Sequence, residues 1–249
     1  MITITLCNAK GGTAKTTTAL CMAAGLAEKG YKVLAVDTDR QCNLTYAAGI
    51  TPQEAEITLL SLIGGEIPTE DAIKPCGAGF DVIPGENHPQ INRLEGNSVI
   101  KGILEPIKEN YDYCIIDSPP ALEMITLNDL VASDHIIIPM NADIFSLQGL
   151  TEIQELISYV QENFNPGLKL EGLLLTRFNP RTIINRNIQE GLDSIADQLH
   201  TKVYSTTIRE AIVVKEMQFN QGNLFTDHPR AKVTADYRAF IDEYLKGVK

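Results

Sequence analysis

The run Ile2-Thr3-Ile4-Thr5-Leu6-Cys7, then Asn8-Ala9-Lys10-Gly11-Gly12-Thr13-Ala14-Lys15-Thr16-Thr17, then the Ala-rich stretch from Ala19 to Lys29, is the segment whose reading decides the fold. A short β-branched run enters a glycine-rich turn, which opens into a helical pattern. Such a strand-to-helix turn aims successive backbone N–H groups at an anion, and the helix dipole favours negative charge at the same place. Gly11, Gly12, Thr13, Ala14, Lys15, Thr16 and Thr17 are therefore candidate phosphate contacts. Lys15 would meet the β- and γ-phosphates as a mobile point charge, and Thr16 would offer its hydroxyl to Mg²⁺, which needs few protein ligands when phosphates supply the rest.

The alternation continues outward from this segment. Apolar, strand-sized runs recur as KVLAVD (32–37), FDVIP (80–84), YDYCIID (111–117), HIIIPM (135–140) and LEGLLLT (170–176), several of them apolar on both faces. Between them lie helical patterns at Lys15 to Lys29, Ser98 to Glu109, Leu147 to Glu162 and Ile184 to Leu199, with apolar residues at spacings of three and four. A βαβ series of this kind predicts an α/β fold in three layers, a mostly parallel twisted sheet with helices on both faces. One domain spanning residues 1–249 is expected. The stretch from Thr51 to Gly79 is the least regular and reads as a peripheral excursion with a short helix from Ala55 to Ile63.

At 249 residues, 44% hydrophobic and 21% charged, the composition excludes disordered, collagen-like and disulfide-dependent mini-protein classes. Cysteines stand at 7, 21, 42, 76 and 114 with no CxxC pair, and the first residues read as a strand, not a signal peptide, so a reducing cytoplasm is the expected compartment. No apolar run approaches the roughly 18 residues of a membrane span. Histidines 88, 135, 200 and 228 show no zinc-ligand spacing. The net charge of −11 argues against a polyanionic partner, yet the charge is uneven: residues 1–200 hold 13 basic against 26 acidic groups, whereas residues 201–249 hold 8 against 6.

Two further strands end in carboxylates. Asp37 and Asp39, in Val33-Leu34-Ala35-Val36-Asp37-Thr38-Asp39-Arg40-Gln41-Cys42-Asn43, lie two residues apart on an extended segment. Both can face the same side at the sheet's C-terminal edge, where ligands of open α/β sheets bind. The alternative for Asp37 is a cap on a helix beginning near Asn43. Tyr113-Cys114-Ile115-Ile116-Asp117-Ser118-Pro119-Pro120 delivers Asp117 from an apolar strand, a placement suited to direct or indirect Mg²⁺ coordination.

Loop, DxD and DxPP segments in this order resemble the ParA/MinD family of P-loop ATPases with a deviant Walker A motif, most nearly the ParA/Soj-type partition ATPases without an N-terminal helix-turn-helix domain. The carrying motifs are KGGTAKT at 10–16, DTDRQCN at 37–43 and IIDSPP at 115–120, with weaker likeness in LLLTRFNPRT (173–182), TTIREAIVVKEM (206–217) and the segment from Asn223 to Leu245. The resemblance implies ATP and Mg²⁺ as cofactors and a nucleotide-sandwich homodimer. In it Lys10 would reach the partner's phosphates, Asp37 would lie near the Mg²⁺ shell and Asp39 would position the attacking water. It also implies an adenine pocket, placed near Phe178 and Asn179, and non-specific DNA binding through Arg209, Lys215, Arg230 and Lys232. A ParB-type centromere-binding protein would stimulate hydrolysis, and the protein would associate with the nucleoid. A MinD-like or cargo-positioning ATPase is the alternative within the fold, although Tyr237 to Lys249 mixes both charges and carries few bulky apolar residues, against a membrane role. A dethiobiotin-synthetase-like ligase is the alternative from another class. Three positions depart from the family pattern: Ala14 and Cys42 stand where glycine is usual, and Arg40 where proline is usual.

Overall fold

A computed structural model describes residues 1–51, 55–65, 67–92, 94–179 and 183–248. From the N-terminus, β1 (Ile2–Leu6) leads through the glycine-rich turn into α1 (Lys15–Glu28), and β2 (Val33–Asp37) into the one-turn α2 (Asn43–Ala47). The excursion holds α3 (Leu59–Ile63), α4 (Thr69–Ala72) and the two-residue β3 (Lys74–Pro75), and the chain re-enters the sheet as β4 (Asp81–Ile83). Then come α5 (Val99–Leu104), β5 (Tyr113–Asp117), α6 (Met124–Val131), β6 (His135–Asn141), α7 (Ile144–Asn163), β7 (Lys169–Thr176) and α8 (Ile183–Gln198). The C-terminal part is helical: α9 (Ile212–Phe219), α10 (Leu224–Asp227) and α11 (Lys232–Gly247).

Among the described residues, seven strands form one sheet in the order β3-β4-β2-β5-β1-β6-β7, parallel throughout except for the β3–β4 pair. The three-layer α/β expectation is met. Strand alternation sorts the side chains: Val33, Ala35, Tyr113 and Ile115 pack in the cluster under α1, α10 and α11, while Leu34, Val36, Cys114 and Ile116 pack with α3, α5 and α6 on the other face. Ile136, Ile138, Leu173 and Leu175 continue that second face beneath α7 and α8.

Two expected helices are shorter than their sequence pattern. The helix expected from Ala55 starts at Leu59, because the Ser61 hydroxyl accepts the Thr58 N–H (3.2 Å) and the Thr58 hydroxyl donates to Glu86 (2.6 Å), fixing the chain before the first turn; residues 52–54 lie outside the described set. The helix expected over Ser98 to Glu109 stops at Leu104 and tightens into a 3-10 turn at Glu105–Ile107, since Pro106 has no N–H to continue the ladder.

In the parallel register Asp37 stands beside Asp117, and Leu6 beside Asp117 on its other flank. The ends of β1, β2 and β5 thus meet at one point of the C-terminal edge, directly below the glycine-rich turn.

Candidate functional site

The turn after β1 is held from both flanks. The Asn8 side chain donates to the Pro139 carbonyl (2.8 Å) and accepts from the Lys10 N–H (2.9 Å), and the Thr176 hydroxyl donates to the Thr13 carbonyl (3.0 Å). Gly11 and Gly12 are exposed, and Gly12 has φ +75°. Ala14, the N-cap of α1, is also left-handed, with φ 65° and ψ 29°. Lys15 folds back into the loop: its Nζ donates to the carbonyls of Asn8 (2.9 Å) and Lys10 (3.2 Å). Burial pushes the Lys15 ammonium toward its neutral form, and the nearby Asp117, Cys7 and Asp39 act against that push.

A cavity of about 540 Å³ opens over this turn, lined by residues 11–17, Asp39 and Pro120, with Tyr46 of α2 and Phe219 of α9 at its rim. Asp39 sits at its wall, one carboxylate oxygen accepting the Gln41 N–H (3.0 Å). Asp117 lies deeper and is fully buried, and neither of its carboxylate oxygens has a hydrogen-bond partner. Burial, then Asp37, push its carboxyl well above the usual range, while the Thr16 hydroxyl, close by but outside hydrogen-bond geometry, and Lys15 act the other way.

Asp37, expected near the Mg²⁺ shell or as a helix cap, makes the contacts of a cap. One oxygen accepts from both the Thr45 N–H (2.8 Å) and the Thr45 hydroxyl (2.7 Å), and the other accepts the Asp39 N–H (3.2 Å). Thr45 is the third residue of α2, so Asp37 satisfies an otherwise orphaned N–H in that helix's first turn. The capping alternative describes its contacts. Burial nevertheless raises its carboxyl to about 6, with the Thr45 hydrogen bonds opposing.

Lys10 is not among the residues that line this cavity. Its Nζ makes two 2.8 Å contacts with the carboxylate of Asp143, just beyond β6, and both side chains are about one-third exposed (32% and 34%).

Phe178 and Asn179 are the residues expected near an adenine. Phe178 is 5% exposed, packed with the apolar cluster beneath α7, and its N–H donates to the Ile208 carbonyl (2.9 Å). A second cavity of about 280 Å³ adjoins the loop and is lined by Gly12, Thr17, Arg177, Ile208, Glu210 and Val214, among others. Ile208 is brought to this cavity by non-local contacts with the end of β7: its N–H donates to the Leu175 carbonyl (2.8 Å) and its carbonyl accepts the Phe178 N–H.

A family model described as an AAA domain matches residues 1–170. The sporulation initiation inhibitor protein Soj of Bacillus subtilis is 34% identical over 236 residues, covering 92% of this chain and 92% of that protein. The chromosome partitioning protein ParA of Caulobacter vibrioides is 32% identical over 222 residues, covering 86% and 82%. This chain belongs to the ParA/MinD family of P-loop ATPases. A structure described as cobyrinic acid a,c-diamide synthase from Mycobacterium smegmatis, with bound ATP analogue and magnesium, superposes with a TM-score of 0.87 at 27% identity, covering 100% of this chain and 96% of the other.

Within this ParA/MinD-family chain the four expected DNA contacts are not equivalent. Arg209 is committed to Asp236 of α11 through two hydrogen bonds, from Nε (2.6 Å) and from a terminal nitrogen (2.7 Å). Lys215 projects from α9, and Arg230 and Lys232 flank the turn between α10 and α11; all three are exposed.

Proposed function

We propose that the chain is a ParA-type partition ATPase, a single P-loop domain over residues 1–249 that hydrolyses ATP to ADP and phosphate and works in the cytoplasm on the nucleoid. The observation that carries this reading is the meeting of Lys15, Thr16 and Asp39 over a cavity of about 540 Å³ with a fully buried Asp117 whose two oxygens are bare. A buried carboxylate without a partner is costly unless a cation completes it. Thr16 and Asp117 fit Mg²⁺ on this ground and would hold it, with Asp37 beside Asp117 at the end of β2. When bound, Mg²⁺ supplies charge neutralisation across the β- and γ-phosphates.

The chain's own groups cover the remaining parts. The turn from Gly11 to Thr17 cradles the phosphates, Lys15 leaves its two carbonyl acceptors for the phosphate oxygens, and Asp39 at the cavity wall orients the attacking water. Lys10 leaves Asp143 to complete the site of a second copy, so that hydrolysis requires an ATP-bound homodimer. The base is held in the smaller cavity beside Arg177, next to the Phe178–Asn179 segment. Lys215, Arg230 and Lys232, doubled in the dimer, contact duplex DNA without sequence preference, with Arg209 braced on Asp236 beneath them. A ParB-type partner stimulates turnover. Membrane binding has no part in this reading; among the described residues no helix is long and apolar enough to cross a bilayer, and the mixed charges of Tyr237 to Lys249 do not make a basic amphipathic anchor.

A second reading, a P-loop ligase, is favoured by the Mycobacterium smegmatis likeness. It gives Lys10 no role in trans and requires an acceptor substrate for turnover.

The deciding experiment uses Asp39→Ala, locked in the ATP-bound state. This variant is expected to bind arbitrary duplex DNA with an affinity that falls steeply with salt; no salt-sensitive binding would remove the partition reading. Lys10→Ala is expected to lose ATP-dependent dimerisation and hydrolysis together, and full retention of both would support the ligase.

A further inference from the structure

Asp129, in the middle of α6, is fully buried beneath the sheet, and the nucleotide chemistry above does not use it. Its Oδ2 lies 2.8 Å from the Thr38 hydroxyl, and its Oδ1 has no partner. Thr38 separates Asp37 from Asp39 and, by strand alternation, points to the opposite face of the sheet, toward α6. Its hydroxyl also lies 2.9 Å from the Asp117 carbonyl oxygen, and its N–H donates to that same oxygen at 3.1 Å. One side chain therefore ties the segment that carries Asp39 to the end of β5 that carries Asp117, and α6 backs the tie.

The helix is itself fixed. The neighbouring Asn128 accepts the Val99 N–H (2.8 Å) and donates to the Gly96 carbonyl (2.9 Å), while the Asp129 carbonyl accepts from the Ser133 hydroxyl (2.7 Å). Asp129 thus presents its carboxyl from a rigid mount.

We infer that Asp129 and Thr38 form a positioning strap, in which the Asp129 carboxyl holds the Thr38 hydroxyl on the Asp117 carbonyl and so fixes the spacing between the Asp39 loop and the end of β5. Proton counting defines its polarity. The Thr38 hydroxyl has one proton and faces two oxygens. If that proton serves the Asp117 carbonyl, the contact with Oδ2 is a hydrogen bond only when Asp129 donates it, as a neutral acid. Burial pushes the Asp129 carboxyl well up, in keeping with a donor, and a neutral acid leaves a bare Oδ1 at far lower cost than a buried charge does. Asp129 is a positioning residue and touches no reacting atom.

This inference rests on the ATPase reading for its kinetic arm and stands apart from it in its spectroscopic arm. Full-length Asp129→Ala and Thr38→Val are expected to lower kcat for ATP by about ten- to a hundred-fold, the scale of a small displacement of an aligned group, with KM changed less than about two-fold. Asp129→Asn, whose amide still donates, and Thr38→Ser, which keeps the hydroxyl, are expected to stay within about three-fold of wild type. Wild-type kcat in Thr38→Val, or equal losses in the Asn and Ala variants at 129, would overturn the strap. If Asp129→Ala does not fold, the Thr38→Val and Thr38→Ser pair decides. Infrared difference spectra of the nucleotide-free wild type against Asp129→Asn are expected to show the carbonyl band of a protonated acid in the wild type alone; its absence removes the donor assignment whether or not the protein hydrolyses ATP.

Discussion

Ala14 shows how a single backbone angle records a departure from a family pattern. It occupies φ 65°, ψ 29° at the N-cap of α1, and Cys42 occupies φ 52°, ψ 34° at the N-cap of α2; these are the two positions where the family pattern has glycine. The left-handed region costs an L side chain about 1–2 kcal/mol, which glycine escapes. Glycine in turn makes the unfolded chain more flexible, which costs about 0.4–1 kcal/mol. Because the Ala14 methyl group contributes little packing, Ala14→Gly is expected to stabilise the nucleotide-free protein by up to about 1 kcal/mol, a rise in Tm of about 2–4 °C. Ala14→Val, β-branched at a positive φ, is expected to destabilise it. Thermal unfolding checks both, and a lower Tm for Ala14→Gly would show that the strain is relieved elsewhere in the loop. Cys42 is a poorer test, since it is buried and its Sγ donates to the Arg40 carbonyl (3.5 Å), so removing the side chain loses contacts as well as strain.

At the scale of elements, α1 is tightly packed at Gly25. Gly25 faces α10 and α11, and a Cβ there would lie 2.8 Å from Phe225 Cζ and collide with Ile241 Cδ1, both in the buried cluster. Alanine would gain about 1 kcal/mol of helix propensity, while forcing a methyl group into a filled core costs about 1–3 kcal/mol. The overpacking is the larger effect because Phe225 cannot swing away without opening the cluster. Gly25→Ala is therefore expected to lower the urea midpoint with an unchanged m-value, and a raised midpoint would show that α11 can shift. The six strands read from the sequence were legible because a strand covered on both faces is apolar at nearly every position, as Ile115-Ile116 and Leu173-Leu174-Leu175 show. The edge strand β3 was not, since Lys74-Pro75 has no apolar pattern and only two residues. The phosphate turn and the carboxylates at the strand ends were legible for a related reason: each lies within a few residues of an element boundary. What the sequence left open was which group meets which. Asp37 with Thr45, Thr38 with Asp129, and Phe178 with Ile208 are separated by 8, 91 and 30 residues, and the last two pairs meet only when helix and loop fold back onto the strand ends.

Across the whole molecule, the notable electrostatic feature is the group of carboxyls buried beneath the strand ends. Asp37, Asp117 and Asp129 are all fully buried, and burial is the largest cause raising each of them, Asp37 to about 6. A carboxyl with a raised folded pKa stabilises the fold while protonated. Its contribution is complete below the unfolded carboxyl range, about pH 4, and is lost as pH rises through the folded value. His135, 2.8 Å from the Tyr244 hydroxyl and lowered by burial, works in the other direction, because the unfolded chain takes up its proton first as pH falls. The raw pH dependence therefore mixes opposing groups, and the informative quantity is the difference between wild type and Asp129→Asn, which removes one raised carboxyl and keeps its hydrogen-bond donor. In the nucleotide-free protein, denaturant unfolding from pH 4 to pH 8 is expected to show wild type losing stability relative to Asp129→Asn as pH rises. A constant difference across that range would mean that Asp129 ionises alike in the folded and unfolded chain, and that the cost of burying a bare carboxylate is met by a neighbour other than Thr38.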